Sequence, residues 1–332
     1  MRSAAFAVGK RRMDTGRPNI VTLTMNPALD ITTCADQVRH TDKIRCGATR
    51  YDPGGGGINV ARVAHVLDGP VVAVFTSGGP TGAMVADLVR REGVAYEPVE
   101  ISGVTRESFT VNEGCTGKQY RFVLPGPHLT MTEQAQCVEN LRRHAMSAEF
   151  VVASGSLPPG VDPRFYQQIA DMCRESGVPL ILDTSGGGLS HIESGVFVLK
   201  PSLRELRECT GKELTTEREQ VAAARDLIDR GVTDVVIVSL GGDGALMVTA
   251  RQSQRFKAVP VASGSGVGAG DAMVAAITVG LSRGWPLPKS VRYGIAAGAA
   301  MLLTPGTAVC RRAEVERLFA LAAEPEDLTS GW

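Results

Sequence analysis

Short apolar runs alternate with longer amphipathic segments along most of this chain, and that alternation restricts the fold to few classes. Six runs are apolar on both faces, as strands covered by helices on each side should be: 20–25, 71–75, 150–155, 179–184, 195–200 and 234–240. Helix-length amphipathic segments lie at 57–68, 80–92, 132–147, 162–176, 216–230, 270–283 and 287–303. This order predicts a three-layer α/β domain, with helices on both faces of a mostly parallel sheet.

Two polar, β-rich stretches interrupt the alternation. Residues 31–52 form one, and residues 107–124 form the other, with two alternating strands around a turn at 114–117. We expect them to build a small antiparallel layer inserted at about 31–52 and 105–125. A layer with one face off the core can act as a lid or as a subunit contact.

Charge and cysteine content exclude several classes of protein. The 332 residues include 35 Lys+Arg and 35 Asp+Glu, so the net charge gives no electrostatic argument for nucleic acid or an anionic membrane as a partner. The seven cysteines include no C-x-x-C pair, which favours a reduced, cytoplasmic chain. No apolar run is long enough for a transmembrane helix. Residues 1–18 have no apolar core, which predicts a disordered extension rather than a secretory signal.

The most informative segment is GSGVGAGDAMVAAITVGLSRG, residues 264–284. Its alternating glycines lead into an apolar helix whose first turn holds Asp271, and main-chain amides at such a helix start can hold a phosphate. A capped helix after a flexible loop is the alternative. Phosphoryl transfer asks a base mainly for alignment, which suits this carboxylate. Since the P-loop and protein-kinase signatures are absent, a kinase of this kind would belong to another class.

Two further clusters favour a sugar site. Four successive glycines, 54–57, precede Asn59 and a helix pattern, where bare backbone and one amide can approach a polyhydroxyl ligand. A turn with unusual backbone angles would also use glycine, although one would suffice. Asp30 follows the first predicted strand, at the edge where open α/β sheets bind ligands.

These clusters, in this order, resemble the PfkB (ribokinase-like) carbohydrate kinases. The resemblance runs from about residue 19 to 322, leaving 323–332 as a C-terminal tail. The segments PGGGGINVAR (53–62), KQYRFVLPG (118–126) and ASGSLPPGV (153–161) are most similar to the 6-phosphofructokinases of that family. The related fructose-1-phosphate and tagatose-6-phosphate kinases more typically have a lysine where this chain has Gly56.

The resemblance implies ATP and Mg²⁺ as cofactors, and fructose 6-phosphate or a related sugar phosphate as the substrate. It implies a homodimer through the β lid, Asp271 as the base at the sugar O1 hydroxyl, and an anion hole from Gly268, Ala269 and Gly270. The implied substrate-binding residues are Asp30, Lys43, Arg45, Gly55, Gly56, Asn59 and Arg106, with the cations on the 6-phosphate. The implied nucleotide-binding residues are Lys200, Ser239, Gly241, Gly244, Val267, Gly268 and Gly270.

One position departs from the family pattern. Ser202 stands in KPSLRE where an Asn is expected, while Glu205, which would order water around Mg²⁺, is retained. Three alternatives stay open. They are the same chemistry on tagatose 6-phosphate or fructose 1-phosphate, a kinase for an unphosphorylated sugar or nucleoside, and a non-catalytic sugar-phosphate or nucleotide sensor.

Overall fold

The computed structural model describes residues 19–40, 43–262, 266–304 and 308–329, so the expectation for residues 1–18 lies outside it. Its strands are β1 Ile20–Thr24, β2 Ala28–Ala35, β3 Arg50–Gly54, β4 Val71–Ser77, β5 Ala95–Glu100, β6 Arg106–Glu113, β7 Gln119–Val123, β8 Phe150–Ser154, β9 Leu180–Asp183, β10 Val196–Leu199, β11 Thr233–Ser239, β12 Ala245–Thr249, β13 Ser253–Phe256 and β14 Glu326–Asp327. Its α-helices are α1 Gly56–Val66, α2 Gly79–Arg91, α3 Met131–Ala145, α4 Phe165–Ser176, α5 Gly187–Ser190, α6 Leu203–Thr210, α7 Glu217–Asp229, α8 Ala269–Ser282, α9 Leu287–Met301 and α10 Arg312–Leu321. None of these helices combines the length and the apolarity that a bilayer span requires.

The larger sheet has the order β14-β13-β12-β11-β10-β9-β8-β1-β4-β5. Its strands from β11 to β5 pair in parallel, which confirms the predicted mostly parallel sheet. The antiparallel strands β12, β13 and β14 extend one edge, and the sequence patterns did not predict them. β14 lies within the segment expected to be a tail.

Hydrophobic side chains fill both faces of this sheet. Successive residues of one strand point to opposite faces, so Val74 joins one core and Phe75 the other. Helices α1, α2, α8, α9 and α10 contribute to the core with Phe75, whereas α3, α4, α6 and α7 contribute to the core with Val74. This arrangement confirms the three-layer, ribokinase-like architecture expected from the sequence.

The smaller sheet has the order β3-β2-β6-β7 and forms the lid. We predicted an antiparallel layer, and this was wrong in one pairing, because β2 and β6 run parallel while the other two pairs are antiparallel. The physical reason is the direction of the strands that precede β2 and β6 in the larger sheet. β2 follows β1 and β6 follows β5, and since β1 and β5 point the same way in the larger sheet, their continuations leave it in the same direction.

Candidate active site

The candidate site lies where the direction of the strand order reverses in the larger sheet, between β1 and β8. Open α/β sheets bind ligands outside the carboxyl ends of their strands at such a point. Ser154 ends β8, Asp183 ends β9 and Ser239 ends β11, and all three line a cleft of about 300 Å³ that also contains Gly270 and Asp271. The topology therefore brings residues from distant parts of the chain to one edge.

Asp271 lies in the first turn of α8 and holds two hydrogen bonds from other elements. Nδ2 of Asn59, on α1, donates to its Oδ2 at 2.9 Å, and Oγ of Ser154 donates to its Oδ1 at 3.4 Å. Burial, together with the nearby negative charge of Asp183, raises the pKa of Asp271 to about 7. The carboxyl group is therefore poised to exchange a proton near neutral pH.

The start of α8 is suited to an anion. Its N-cap residue, Gly268, has φ 76°, a left-handed conformation that glycine adopts without strain, and no side chain among the described residues caps the helix. Amides in the first turn of a helix lack intrahelical partners and carry partial positive charge. Ala269 and Gly270 belong to that turn, so the expected anion-hole residues lie beside Asp271. These observations fit a nucleotide phosphate.

A buried cation adds to this positive potential. Lys200 directly follows β10 and is only 4% exposed, and a Cβ placed on Gly270 would lie 3.7 Å from its Nζ. Its Nζ lies 3.1 Å from Oδ1 of Asp183. Burial disfavours the charge on Lys200, but the carboxylates of Asp183, Glu205 and Asp271 together outweigh that effect and raise the pKa of the ammonium group. Lys200 is thus a fixed positive charge in the cleft.

The glycine run between β3 and α1 is explained chiefly by contacts within the protein. A side chain at Gly54 would collide with the Asp30 carboxylate, one at Gly56 with Ser154, and one at Gly57 with the Leu23 carbonyl group. Gly55 has φ 117°. The run lets α1 begin against the ends of β1 and β8, and close packing accounts for glycines that the sequence alone suggested were kept open for a ligand.

The lid presents its polar face to the same region. In the register of β2 with its neighbours, Asp30 lies beside Asp52 and Ser108, and Ala28 lies beside Arg106. Asp30 and Arg106 therefore share one face of the sheet. Burial raises the pKa of Asp30 to about 6, although Arg121 and Arg106 act in the opposite direction.

Two main-chain carbonyl groups position the guanidinium group of Arg106. Its guanidinium group donates to the Leu124 carbonyl group at 3.1 Å and to the Asn26 carbonyl group at 3.0 Å, while its buried Nε has no partner within the described residues. By contrast, Lys43 and Arg45 lie exposed on the connection between β2 and β3, and within the described part of the chain no hydrogen bond or ion pair ties them to Asp30.

Ser202 and Glu205 hydrogen-bond each other at the start of α6. Oγ of Ser202 accepts from the Glu205 amide at 3.2 Å, and Oε2 of Glu205 accepts from the Ser202 amide at 2.8 Å, a capping box that begins α6. Ser and Asn are both good N-cap residues, so the departure from the family pattern leaves the helix start intact. Both side chains line the cleft.

Metal ligands are sparse within residues 19–40, 43–262, 266–304 and 308–329, where no group of three or more His, Cys, Asp or Glu is arranged to hold an ion. Mg²⁺ commonly keeps several waters and binds through one or two carboxylates plus phosphate oxygens. Glu205 and Asp183 in the cleft fit that mode of binding.

Of the remaining positions expected to bind the nucleotide, Ser239 lines the cleft, whereas Gly241 and Gly244 flank the turn that joins β11 to β12. Gly244 has φ 93°, and a side chain there would collide with the Phe256 carbonyl group, so the hairpin itself requires this glycine. Val267 precedes the N-cap of α8.

Sequence reasoning missed three residues of this site: Ser154, Asp183 and Arg62. The first two close apolar strand runs, a position from which polar side chains reach the ligand edge of a parallel sheet, and this signal was available. Arg62 follows Asn59 by three residues, which places both on one face of α1.

Known proteins of similar sequence and fold indicate the family of this chain. A protein 66% identical over 315 residues, covering 95% of this chain and 93% of its own length, is the ATP-dependent 6-phosphofructokinase isozyme 2 of Mycobacterium tuberculosis. Two structures of phosphofructokinase-2 from Escherichia coli, one in complex with fructose-6-phosphate and one a tetrameric inhibited form, each match with a TM-score of 0.86 and 37% identity, covering 92% of this chain and 99% of theirs.

Fold similarity extends further, to ribokinase from Arabidopsis thaliana, which has a TM-score of 0.73 at 19% identity over 91% of this chain and 99% of that one. The model of the pfkB family of carbohydrate kinases matches residues 23–314, a range that contains both the glycine run before α1 and the N-terminus of α8. On this evidence, the chain belongs to the pfkB family of carbohydrate kinases.

Proposed function

We propose that this chain is an ATP-dependent 6-phosphofructokinase, which transfers a phosphoryl group to O1 of fructose 6-phosphate. One observation carries the proposal: the buried carboxylate of Asp271, with its pKa raised to about 7, lies at the uncapped N-terminus of α8. The activity named for the relative that is 66% identical supports the same reaction.

Asp271 acts as the base in this reaction. As O1 of the sugar forms its bond to the terminal phosphorus of ATP, its proton passes to the Asp271 carboxylate, and ADP leaves with the electron pair of the broken P–O bond. The transferred group carries negative charge on its three outer oxygens. The amides of Gly268, Ala269 and Gly270 and the ammonium group of Lys200 stabilise that charge.

Substrate recognition divides between the core and the lid. Asp30 accepts hydrogen bonds from sugar hydroxyl groups, Asn59 donates to them, and the main chain of Gly55 and Gly56 contacts the sugar. Arg106 binds the 6-phosphate, since its guanidinium group is half-buried and positioned by two carbonyl groups. Lys43 and Arg45 reach the same phosphate when the lid closes, with Arg45 supplied by the partner subunit.

Bound Mg²⁺ would supply positive charge between the ATP phosphates. Glu205, and through water Ser202, would hold its hydration shell, and the position of both residues in the cleft supports this assignment. Ser239 and the turn around Gly241 would border the nucleotide base and ribose.

A second copy of this chain is proposed to cover the outer face of the lid. Tyr51, Ile31, Phe109 and Phe122 form one row across the four strands, on the face opposite Asp30. Ile31 is buried, but Tyr51, Phe109 and Phe122 are 43%, 36% and 54% exposed and offer apolar surface to a partner. The tetrameric form of the Escherichia coli relative is consistent with self-association in this family.

The test is an ADP-release assay across a panel of acceptors, with wild type, Asp271→Asn and Asp226→Asn. Asp226 is an exposed carboxylate on α7 and serves as the matched charge control. We expect fructose 6-phosphate to have the highest kcat/KM, Asp271→Asn to lower kcat by about 10²- to 10⁴-fold, and the control to match wild type. A preference for fructose 1-phosphate, tagatose 6-phosphate or an unphosphorylated sugar contradicts the substrate assignment. Tight binding without turnover in the wild type contradicts catalysis.

A further inference from the structure

We infer that Arg62 is a positioning residue for this reaction, acting through the side-chain amide of Asn59 on the carboxylate of Asp271. The inference rests on the proposed function, since it concerns the geometry of the same base. Nη1 of Arg62 donates to Oδ1 of Asn59 at 3.3 Å, and Nδ2 of Asn59 donates to Oδ2 of Asp271 at 2.9 Å. The three side chains thus form a directed chain of hydrogen bonds.

The direction follows from the chemistry of the two ends. An asparagine amide can turn over and exchange its oxygen and nitrogen, but a guanidinium group has only donors and an ionised carboxylate has only acceptors. With Arg62 on one side, the amide oxygen must face it, so the NH₂ group must face Asp271. Without Arg62, the amide gains freedom to turn its oxygen toward the carboxylate, where it would repel the ionised form.

Arg62 is itself held firmly. It is 2% exposed, and its Nε and Nη2 each lie 2.6 Å from an oxygen of Glu92, the C-cap residue of α2. Its Nη1 also donates to the Pro53 carbonyl group at 3.1 Å, and Nη2 lies 3.9 Å from Asp52. A fork of this kind between arginine and carboxylate is geometrically specific. The guanidinium plane therefore transmits a fixed orientation from α2 to Asn59.

The same contacts join the base to the lid. Asp52 and Pro53 belong to β3, and Asp52 lies beside Asp30 in the register of β2 and β3. Arg62 lowers the pKa of Asp30, a residue of the sugar side. One buried arginine thus contacts both β3, the strand paired with β2 beside Asp30, and the amide that aligns the base.

A positioning role makes a specific kinetic prediction. Arg62→Met should lower kcat by about 10²-fold, a cost typical of a misaligned reacting group, and this loss should exceed the rise in KM that follows from disturbing Asn59 and Asp30 on the sugar side. The acid limb of the kcat profile should move to higher pH, because donation from Asn59 favours ionised Asp271. The charges that face Asp271, Asp183 and Lys200, are unchanged in this variant.

The decisive experiment is a double-mutant cycle with Asn59→Ala. If Arg62 acts through Asn59, adding Arg62→Met to Asn59→Ala should lower kcat by less than about threefold, because the intermediate is already gone. A full, additive loss in that background overturns the inference, as does an unshifted pH profile in the single variant. Because both comparisons are ratios to an active wild type, an inactive wild type would contradict the proposed function instead.

A second variant covers the case in which Arg62→Met does not fold. Glu92 is partly exposed at the end of α2, so Glu92→Ala removes the fork while keeping the arginine. We expect a smaller loss of kcat, a shift of the acid limb in the same direction, and no effect of Glu92→Ala when Asn59 is already alanine. Wild-type kinetics in Glu92→Ala would show that the orientation of Arg62 does not matter and would overturn the inference.

Discussion

Nζ of Lys200 lies 3.1 Å from Oδ1 of Asp183, and both side chains face the cleft that contains Asp271. The two charges act on the base in opposite senses, since Asp183 raises the pKa of Asp271 and Lys200 lowers it. Burial is the larger effect, and this pair therefore adjusts the pH at which Asp271, the proposed base, can accept a proton.

Replacing Asp183 should shift the pH dependence toward acid. In Asp183→Asn the negative charge is lost and Lys200 acts alone, so the pKa of Asp271 falls and the base stays ionised at lower pH. We expect the acid limb of kcat/KM to move to lower pH, and the protein to lose about 3–5 kcal/mol of stability because buried Lys200 is left unpaired. Asp226→Asn, which removes a charge outside the cleft, should leave the limb in place.

Arg106 and Arg121 should differ sharply in their effect on substrate binding. Arg106 is half-buried with an unsatisfied Nε, whereas Arg121 lies exposed on β7. A hydrogen bond to a charged group contributes about 1.5–3 kcal/mol, so Arg106→Ala should raise KM for fructose 6-phosphate about 10- to 100-fold. Arg121→Ala, measured by the same initial-rate assay, should stay within about threefold. Equal effects would contradict the assignment of the 6-phosphate to Arg106.

Gly56→Ala should impair both stability and catalysis. The added methyl group would collide with the Ser154 side chain and lie 2.7 Å from the Ser154 carbonyl carbon, and Ser154 contacts Asp271. Overpacking of this kind costs about 1–3 kcal/mol. The midpoint temperature of thermal unfolding and kcat should both fall. Gly114→Ala is the control, because its nearest neighbour, the Ala35 carbonyl oxygen, is 3.7 Å away.

Two substitutions at position 202 distinguish the helix-capping role of this side chain from its proposed role in Mg²⁺ binding. Ser202→Ala removes the cap of α6 and should cost about 1 kcal/mol, while Ser202→Asn keeps a capping side chain and should retain wild-type stability. We expect Ser202→Asn to lower the Mg²⁺ concentration that gives half-maximal activity. Thr216→Ala, which removes the equivalent cap of α7, should destabilise without changing the Mg²⁺ requirement. An unchanged requirement in Ser202→Asn would argue against a metal role for this position.

Introducing a charged side chain at the centre of the proposed subunit contact tests whether this contact exists. Phe122→Glu should produce a monomer in sedimentation velocity, because burying a carboxylate among Tyr51, Phe109 and their symmetry mates is costly. Met146→Glu is the control, since Met146 is 80% exposed at the end of α3, away from the lid. A Phe122→Glu protein that keeps the wild-type mass would contradict an interface through this face.

Sequence patterns were most informative where burial is two-sided. Strands β1, β4 and β11 read as unbroken apolar runs because helices cover both faces, whereas β14, Glu326–Asp327, consists of two exposed acids and has no pattern to detect. The parallel pairing of β2 with β6 joins residues far apart in the chain, and local patterns do not encode such partners.

The sequence predicts the kind of site, but it does not predict the contacts between the residues of the site. The glycines and Asp271 predict an anion site, because phosphate binding by main-chain amides uses local sequences of this kind, and the structure places them together at the start of α8. The neighbours of each group were not visible: the sequence cannot tell that Gly56 abuts Ser154 or that Arg62 reaches Glu92. Contacts of this kind come from packing between elements, which depends on the complete fold.

The parallel pairing within the smaller sheet bears on how the chain is synthesised. β2 can find β6 only after residues 106–113 have left the ribosome, and β7 must follow to complete the four strands. A nascent chain that already contains Asp30, Asn59 and the glycine run therefore still lacks the complete smaller sheet. Translation must proceed past a third of the protein before the four strands around Asp30 can pair.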